Sequence, residues 1–144
     1  TTALNFIKNN LNKFKIKNLD EYMEQNFLNG FHVHAPSTST PKDGPSAGGA
    51  FTSAFISIIT KKKIKNDIAM TGEIELTGDI TKIGGLNYKL IGAKKAGIKK
   101  VFVPEENKDD IEEFEKNNPN FINKDFEIKL VTNIKELIFD ILIL

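Results

Sequence analysis

The spacing of apolar residues predicts a chain that begins in helices and then alternates strand and helix. Residues 3–15, "ALNFIKNNLNKFK", place Ala3, Ile7, Leu11 and Phe14 on one face of an amphipathic helix. In "NLDEYMEQNFL", Asn18 and Glu21 form a capping pair that opens a second, short helix. "GFHVHAP" sets Phe31, Val33 and Ala35 against His32 and His34, a strand with one apolar face that Pro36 ends. After a long loop from Pro36 to Pro45, Ala47, Ala50, Phe51, Ala54, Phe55 and Ile58 form one stripe, which predicts a central, buried helix over 46–59.

"IAMTGEIELTGDITKIGG" reads as extended structure with a hairpin at "TGD" and a Gly-Gly stop. "LNYKLIGAKKAG" is a helix stopped by Gly97, "VFVP" a strand, "EENKDDIEEFEK" a charged helix and "FEIKLV" a strand. The end, "NIKELIFDILIL", is a packed terminal helix capped by Asn133 and Glu136. "KNNPNFINKD" reads as a flexible insertion, and no internal repeat is found.

At 144 residues one domain is the expectation. A 40% hydrophobic and 27% charged composition belongs to a soluble globular chain, and a net charge of +1 supplies no field to hold nucleic acid or acidic lipid. Nucleic acid is therefore not indicated as a partner. The longest apolar run, "LIFDILIL", is too short to span a bilayer, so no membrane is expected. With no cysteine there is no disulfide framework, thiol nucleophile or thiolate metal site, which suits a reducing compartment. No signal or transit peptide is recognisable, and a first residue Thr1 instead of Met suggests a piece of something larger.

The candidate chemistry centres on "TPKDGPSAGG", residues 40–49, with Ser46 at a loop-to-helix junction. Ser46 has a modest reading as a helix N-cap, worth about 1 kcal/mol. Gly48 and Gly49 argue for more, because each glycine inside a helix costs up to about 1 kcal/mol relative to alanine, and a cap alone does not need them. A phosphate-binding loop is excluded, since no lysine stands where that motif requires one. "GPSAG" satisfies the hydrolase-elbow string, but no strand leads into it and both histidines lie upstream, so a Ser-His-Asp triad is not expected. His32 and His34 could hold a metal, yet no further ligand cluster completes a shell, and a polar strand face is the simpler role. A serine activated by lysine remains. Lys89 shares a helical stripe with Leu86, Leu90 and Ala93 and so points with the core, although on pattern alone a snorkelling surface lysine is the commoner outcome.

With these residues in place the chain resembles the proteolytic domain of Lon proteases. The family signature "PKDGPSAG" stands at Pro41 to Gly48, preceded by "HVHAP" and followed in family order by "AMTGEI", "IGGLNYKL" and "AKKAGIKKVFVPEEN". The resemblance runs strongly from about Phe31 to Asn107. It implies a compact α+β fold, a mixed sheet with flanking helices, over 1–144 as a single domain that lacks the family's first strands. It also implies Ser46 as nucleophile and Lys89 as general base of a Ser-Lys dyad, 43 residues apart. Thr71 would orient the lysine, and His34 would lie in a supporting position. Asp43 would control whether the serine loop is open or blocked, with a turn-forming role before Gly44 as its alternative. Two positions depart from the family pattern: Lys82 where proline is common, and Asn87 where Lys or Arg is common.

The function implied is ATP-dependent serine endopeptidase action on unfolded or damaged polypeptides. The domain itself would hold no cofactor, ATP and Mg belonging to an ATPase module of the parent protein, which would assemble as a homo-hexamer. A non-catalytic Lon-like scaffold that mediates ring assembly is the rival reading, and the intact pair of Ser46 and Lys89 is the feature that separates them. "LTGDI", "AKKAG" and "IFDI" resemble mitochondrial members, so the mitochondrial matrix is the expected compartment and the bacterial cytoplasm the alternative.

Overall fold

A computed structural model describes residues 1–34 and 44–144. Helices α1 (Thr2–Lys8), α2 (Leu11–Phe14) and α3 (Leu19–Asn26) precede the long helix α4 (Gly48–Thr60). Strands β1 (Lys63–Ile64), β2 (Ile68–Met70), β3 (Glu73–Ile74) and β4 (Ile80–Thr81) follow, then α5 (Leu86–Lys95) and β5 (Lys100–Pro104). A 3-10 turn (Glu105–Asn107), α6 (Lys108–Asn117), β6 (Glu127–Val131), α7 (Ile134–Ile141) and β7 (Leu142–Ile143) complete the order. The fold is α+β. Its centre is a three-stranded parallel sheet, β2-β5-β6, while β1-β7 and β3-β4 are separate antiparallel pairs.

Strand β5 explains how two cores share one sheet. Side chains alternate across a strand, so Phe102 enters one apolar cluster with Phe6, Ile7, Ile56 and Ile138, whereas Val101 and Val103 enter another with Leu86, Leu90 and Phe114. Helices α1, α4 and α7 therefore cover one face and α5 and α6 the other. Helix α4 and helix α5, which carry the serine loop and Lys89, approach each other only around the end of β2.

Several elements differ from the sequence expectation for identifiable reasons. The first helix splits at Asn9–Asn10, where Asn10 Nδ2 donates to the Phe6 carbonyl (2.8 Å) and an asparagine side chain competes with the helix ladder. Residues 31–34 do not form the expected strand: among the described residues no strand pairs with them, and all four are exposed. The stripe expected to bury α4 faces outward. Ala47, Ala50, Phe51, Ala54 and Ile58 are exposed, and the buried face is Gly49, Thr52, Ser53, Ile56, Ile59 and Thr60. Ser53 and Thr60 are tolerated there because each hydroxyl donates to the carbonyl four residues back, at 2.8 and 2.7 Å. Residues 118–126 are a packed turn rather than a flexible insertion, with Phe121 set edge-on between Phe114 and Phe126 and Lys94 over its ring. The last helix ends at Ile141, and Leu142–Ile143 pair with β1.

Both caps form, each by half of the expected pairing. Asn18 accepts from Asp20 and Glu21 amides and Asn133 from the Lys135 amide, but Glu21 instead accepts from Gln25, and Glu136 from Thr132. The hairpin at "TGD" is present as β3-β4.

The two glycines opening α4 are not equivalent. A Cβ on Gly48 would lie 2.8 Å from Ile74 Cγ2 and 3.1 Å from the Ile74 backbone nitrogen, whereas one on Gly49 would meet only the Gly72 carbonyl at 3.8 Å. Gly48→Ala should therefore cost about 1–3 kcal/mol in thermal unfolding by overpacking. Gly49→Ala should be neutral or stabilising by up to about 1 kcal/mol, because alanine is the better helix former. Equal losses at both positions would contradict this account.

Candidate active site

Ser46 precedes α4, Thr71 follows the carboxyl end of β2, and Lys89 lies one turn into α5. The three meet. Lys89 Nζ is 2.9 Å from Ser46 Oγ and donates to Thr71 Oγ1 at 3.2 Å. A neutral amine has one lone pair and two protons, so it can accept from the serine hydroxyl while donating to the threonine.

Backbone bonds hold this group in register. The Gly72 amide donates to the Ser46 carbonyl (3.0 Å), the Gly49 amide donates to the Gly72 carbonyl (3.3 Å), and the Thr71 amide donates to the Phe102 carbonyl (3.0 Å). The serine loop is thus tied to the strand extension that carries Thr71, and that extension to β5. On α5, Leu86 and Leu90 are buried against the sheet, as the stripe in the sequence predicts, which turns Lys89 inward. Gly85, at φ +67°, starts the helix from a left-handed conformation suited to glycine.

The electrostatics follow from burial. Desolvation holds the Lys89 amine below its ordinary value, and among the described residues no carboxylate forms an ion pair with it to restore the charge. Ser46 sits before the amino end of a 13-residue helix, whose dipole favours negative charge there, although the Gly48 and Gly49 amides already pair with the Pro45 and Gly72 carbonyls. A half-buried hydroxyl, an amine biased toward neutrality and a positive helix end are a set able to supply a nucleophile, a base and an anion-stabilising field.

Two cavities open on the pair. One of about 260 Å³ is apolar, walled by Ala47, Ala50, Met70, Leu90 and Val101 beside Ser46 and Lys89. The other, about 360 Å³, is polar and bounded by Pro45, Glu73, Lys82 and Gly84.

Ser46, Lys89 and Thr71 are therefore gathered in one place. His34 is exposed, its ring stacked against His32 with centroids 6.3 Å apart, and among the described residues it is hydrogen-bonded to none of the three. Asp43 lies outside the described residues. The Gly72 backbone clamp escaped sequence reading, since its only trace is one glycine after Thr71. Ser46 is also not the N-cap: Ala47 holds that position and no side chain caps the helix.

The family model described as Lon protease (S16) C-terminal proteolytic domain matches residues 1–144. A Lon protease homolog of Acanthamoeba polyphaga mimivirus is 54% identical over 140 residues, which is 97% of this chain and 13% of that protein. A Lon protease of Fusobacterium nucleatum is 47% identical over 78% of this chain and 14% of its own length. One of Finegoldia magna is 39% identical over 98% of this chain and 17% of its own length. The chain thus spans less than a fifth of these relatives.

Because no capping bond is lost and the bond lost is the one to Lys89, Ser46→Ala should cost about 0.5–1.5 kcal/mol of unfolding free energy, and should cost much less in a Lys89→Ala background. Chemical denaturation measures both, and an equal loss in the Lys89→Ala background would return the hydroxyl to a capping role.

Proposed function

The chain belongs to the Lon protease (S16) C-terminal proteolytic domain family, and from that premise we propose that it cleaves peptide bonds with Ser46 as nucleophile and Lys89 as general base. The observation that carries this reading is the 2.9 Å contact between Ser46 Oγ and a lysine amine held below its ordinary value by burial. Ser46 Oγ attacks the scissile carbonyl as its proton passes to Lys89 Nζ, and the ammonium then protonates the leaving amine. Lys89, neutral again, takes a proton from water, which hydrolyses the ester on Ser46. Thr71 keeps the amine aimed at the hydroxyl throughout.

The substrate is unfolded or damaged polypeptide, and cleavage in the parent protein depends on ATP and Mg bound in a separate module of a homo-hexamer. These finer points rest on the resemblance to Lon proteases. The relatives are viral and bacterial, and they lend no support to a mitochondrial matrix; the bacterial cytoplasm is the better-supported alternative. A scaffold without catalysis has no need of an inward-turned amine on a serine, and the geometry favours the enzyme.

In the full-length protein, Ser46→Ala should lower peptide hydrolysis by about 10⁴-fold or more while ATP hydrolysis persists. Lys89→Arg should be equally inactive, because a guanidinium stays protonated. Peptidase activity near the parental level in Lys89→Arg would end the dyad reading.

The pH dependence has a definite sign. Only the neutral amine acts as base, so the rate should rise with pH along a limb whose midpoint lies below the ordinary lysine value of about 10.4. A limb at or above that value in steady-state peptide hydrolysis would show that Lys89 is not desolvated in the working enzyme.

A further inference from the structure

Asn107 is completely buried, yet it belongs to neither apolar cluster. Its side chain is fully used. Oδ1 accepts from the Ile83 amide (3.1 Å), and Nδ2 donates to the Ile83 carbonyl (2.9 Å) and to Asp110 Oδ2 (2.7 Å). The first two bonds reproduce, with a side chain, the double pairing that a neighbouring strand would give to Ile83.

The residues around Asn107 act on the same turn. Glu106 accepts from the Lys82 amide at 3.1 Å, and Asp110 lies 3.5 Å from the Lys82 ammonium. One short segment, Glu106 to Asp110, therefore brackets Lys82 and Ile83 from 24 residues away. What it brackets matters to the chemistry: Lys82, Ile83 and Gly84 wall the polar cavity beside Ser46 and Lys89, and Gly85 and Leu86 begin the helix that carries Lys89.

We propose that Asn107 is a positioning residue of this site, its buried amide clipping Ile83 so that the Lys82–Gly85 turn stays closed as a wall beside Ser46 and Lys89. The proposal rests on the dyad reading above and adds a residue to it. A buried amide costs desolvation that an apolar side chain of similar size would not. Its use here is to fix one backbone unit at both its donor and its acceptor. The wall bounds the polar cavity beside the Lys89 amine, and its displacement would admit more water to a group whose proton affinity burial lowers. Among the described residues, the charged groups that face Lys89 across the polar cavity are Glu73 from β3 and Lys82 from the turn itself. Both are exposed and screened by solvent, and Lys82 keeps Asp110 as a partner when Asn107 is changed, so hydration of the amine decides the outcome.

The test is the pH profile of peptide hydrolysis by full-length Asn107→Ala, with Asn107→Ser as a milder variant should the first fail to fold, both assayed well below their melting temperatures. The rising limb should move to higher pH, with kcat at neutral pH lowered about 10- to 100-fold, the scale of a small misplacement at a reacting pair. Rates should recover toward the parental value at alkaline pH, and hydrogen exchange at the Ile83 amide should quicken while that at Leu90 does not. A merely structural asparagine would lower activity only with the folded fraction and leave the limb unmoved, whether or not the Ile83 exchange quickens, and that result overturns the proposal. Parental activity that survives Ser46→Ala would instead overturn the dyad reading; quickened exchange at Ile83 would then support the clip as a contact in the fold, while an unmoved Ile83 amide would overturn the clip as well.

Discussion

An amine must be kept short of water if it is to serve as a base at neutral pH, and the proposed role of Lys89 depends on that constraint. Lys89 sits among groups that can bond it, Ser46 Oγ and Thr71 Oγ1, and among the described residues no anion pairs with it to hold it charged. The three come from different places in the chain: a loop before α4, the end of β2 and the first turns of α5. They converge because the parallel strands β2 and β5 carry a helix layer on each face, and the two layers meet at the strand end. In open parallel sheets the carboxyl ends of strands are the usual place for a site, since loops and helix ends gather there.

The precision comes from backbone pairing and close approach. Gly72 bonds both to Ser46 and to Gly49, and Gly48 sits so near Ile74 that no side chain fits between them. These contacts set the serine hydroxyl relative to Thr71 without depending on the rotamer of any long side chain. The lysine is the flexible member, and it is constrained from behind by Leu86 and Leu90 and from the side by the turn that Asn107 holds. Lowering the amine's proton affinity opposes stability wherever the unfolded lysine is protonated, because the unfolded lysine binds its proton more readily than this one does; the two apolar clusters offset that cost.

The sequence was most legible where one periodicity acted alone. On α5 the two buried leucines were readable from the spacing, and the "TGD" hairpin from its turn chemistry, whereas the spacing alone favoured a snorkelling Lys89 and only the family motifs turned it inward. Helix α4 was misread because it is apolar on almost every side, so hydrophobic spacing could not choose the face; hydroxyls satisfied within the helix ended up inside, with Phe51 and Ile58 about half exposed. Residues 31–34 alternate like a strand, but alternation needs a partner ladder before it becomes one. Asn107 had no local signature at all. Its partners are the backbone groups of a residue 24 positions away, and a side chain that pairs with backbone leaves no complementary residue to notice.

The central claim is that, among the lysines of the described residues, Lys89 is the one desolvated onto a serine. Heteronuclear NMR titration of the lysine side chains, with Lys89→Arg to assign the signal, tests it directly. The account predicts one resonance that titrates clearly below the others and vanishes in Lys89→Arg. Twenty lysines titrating together near about 10.4 would contradict it.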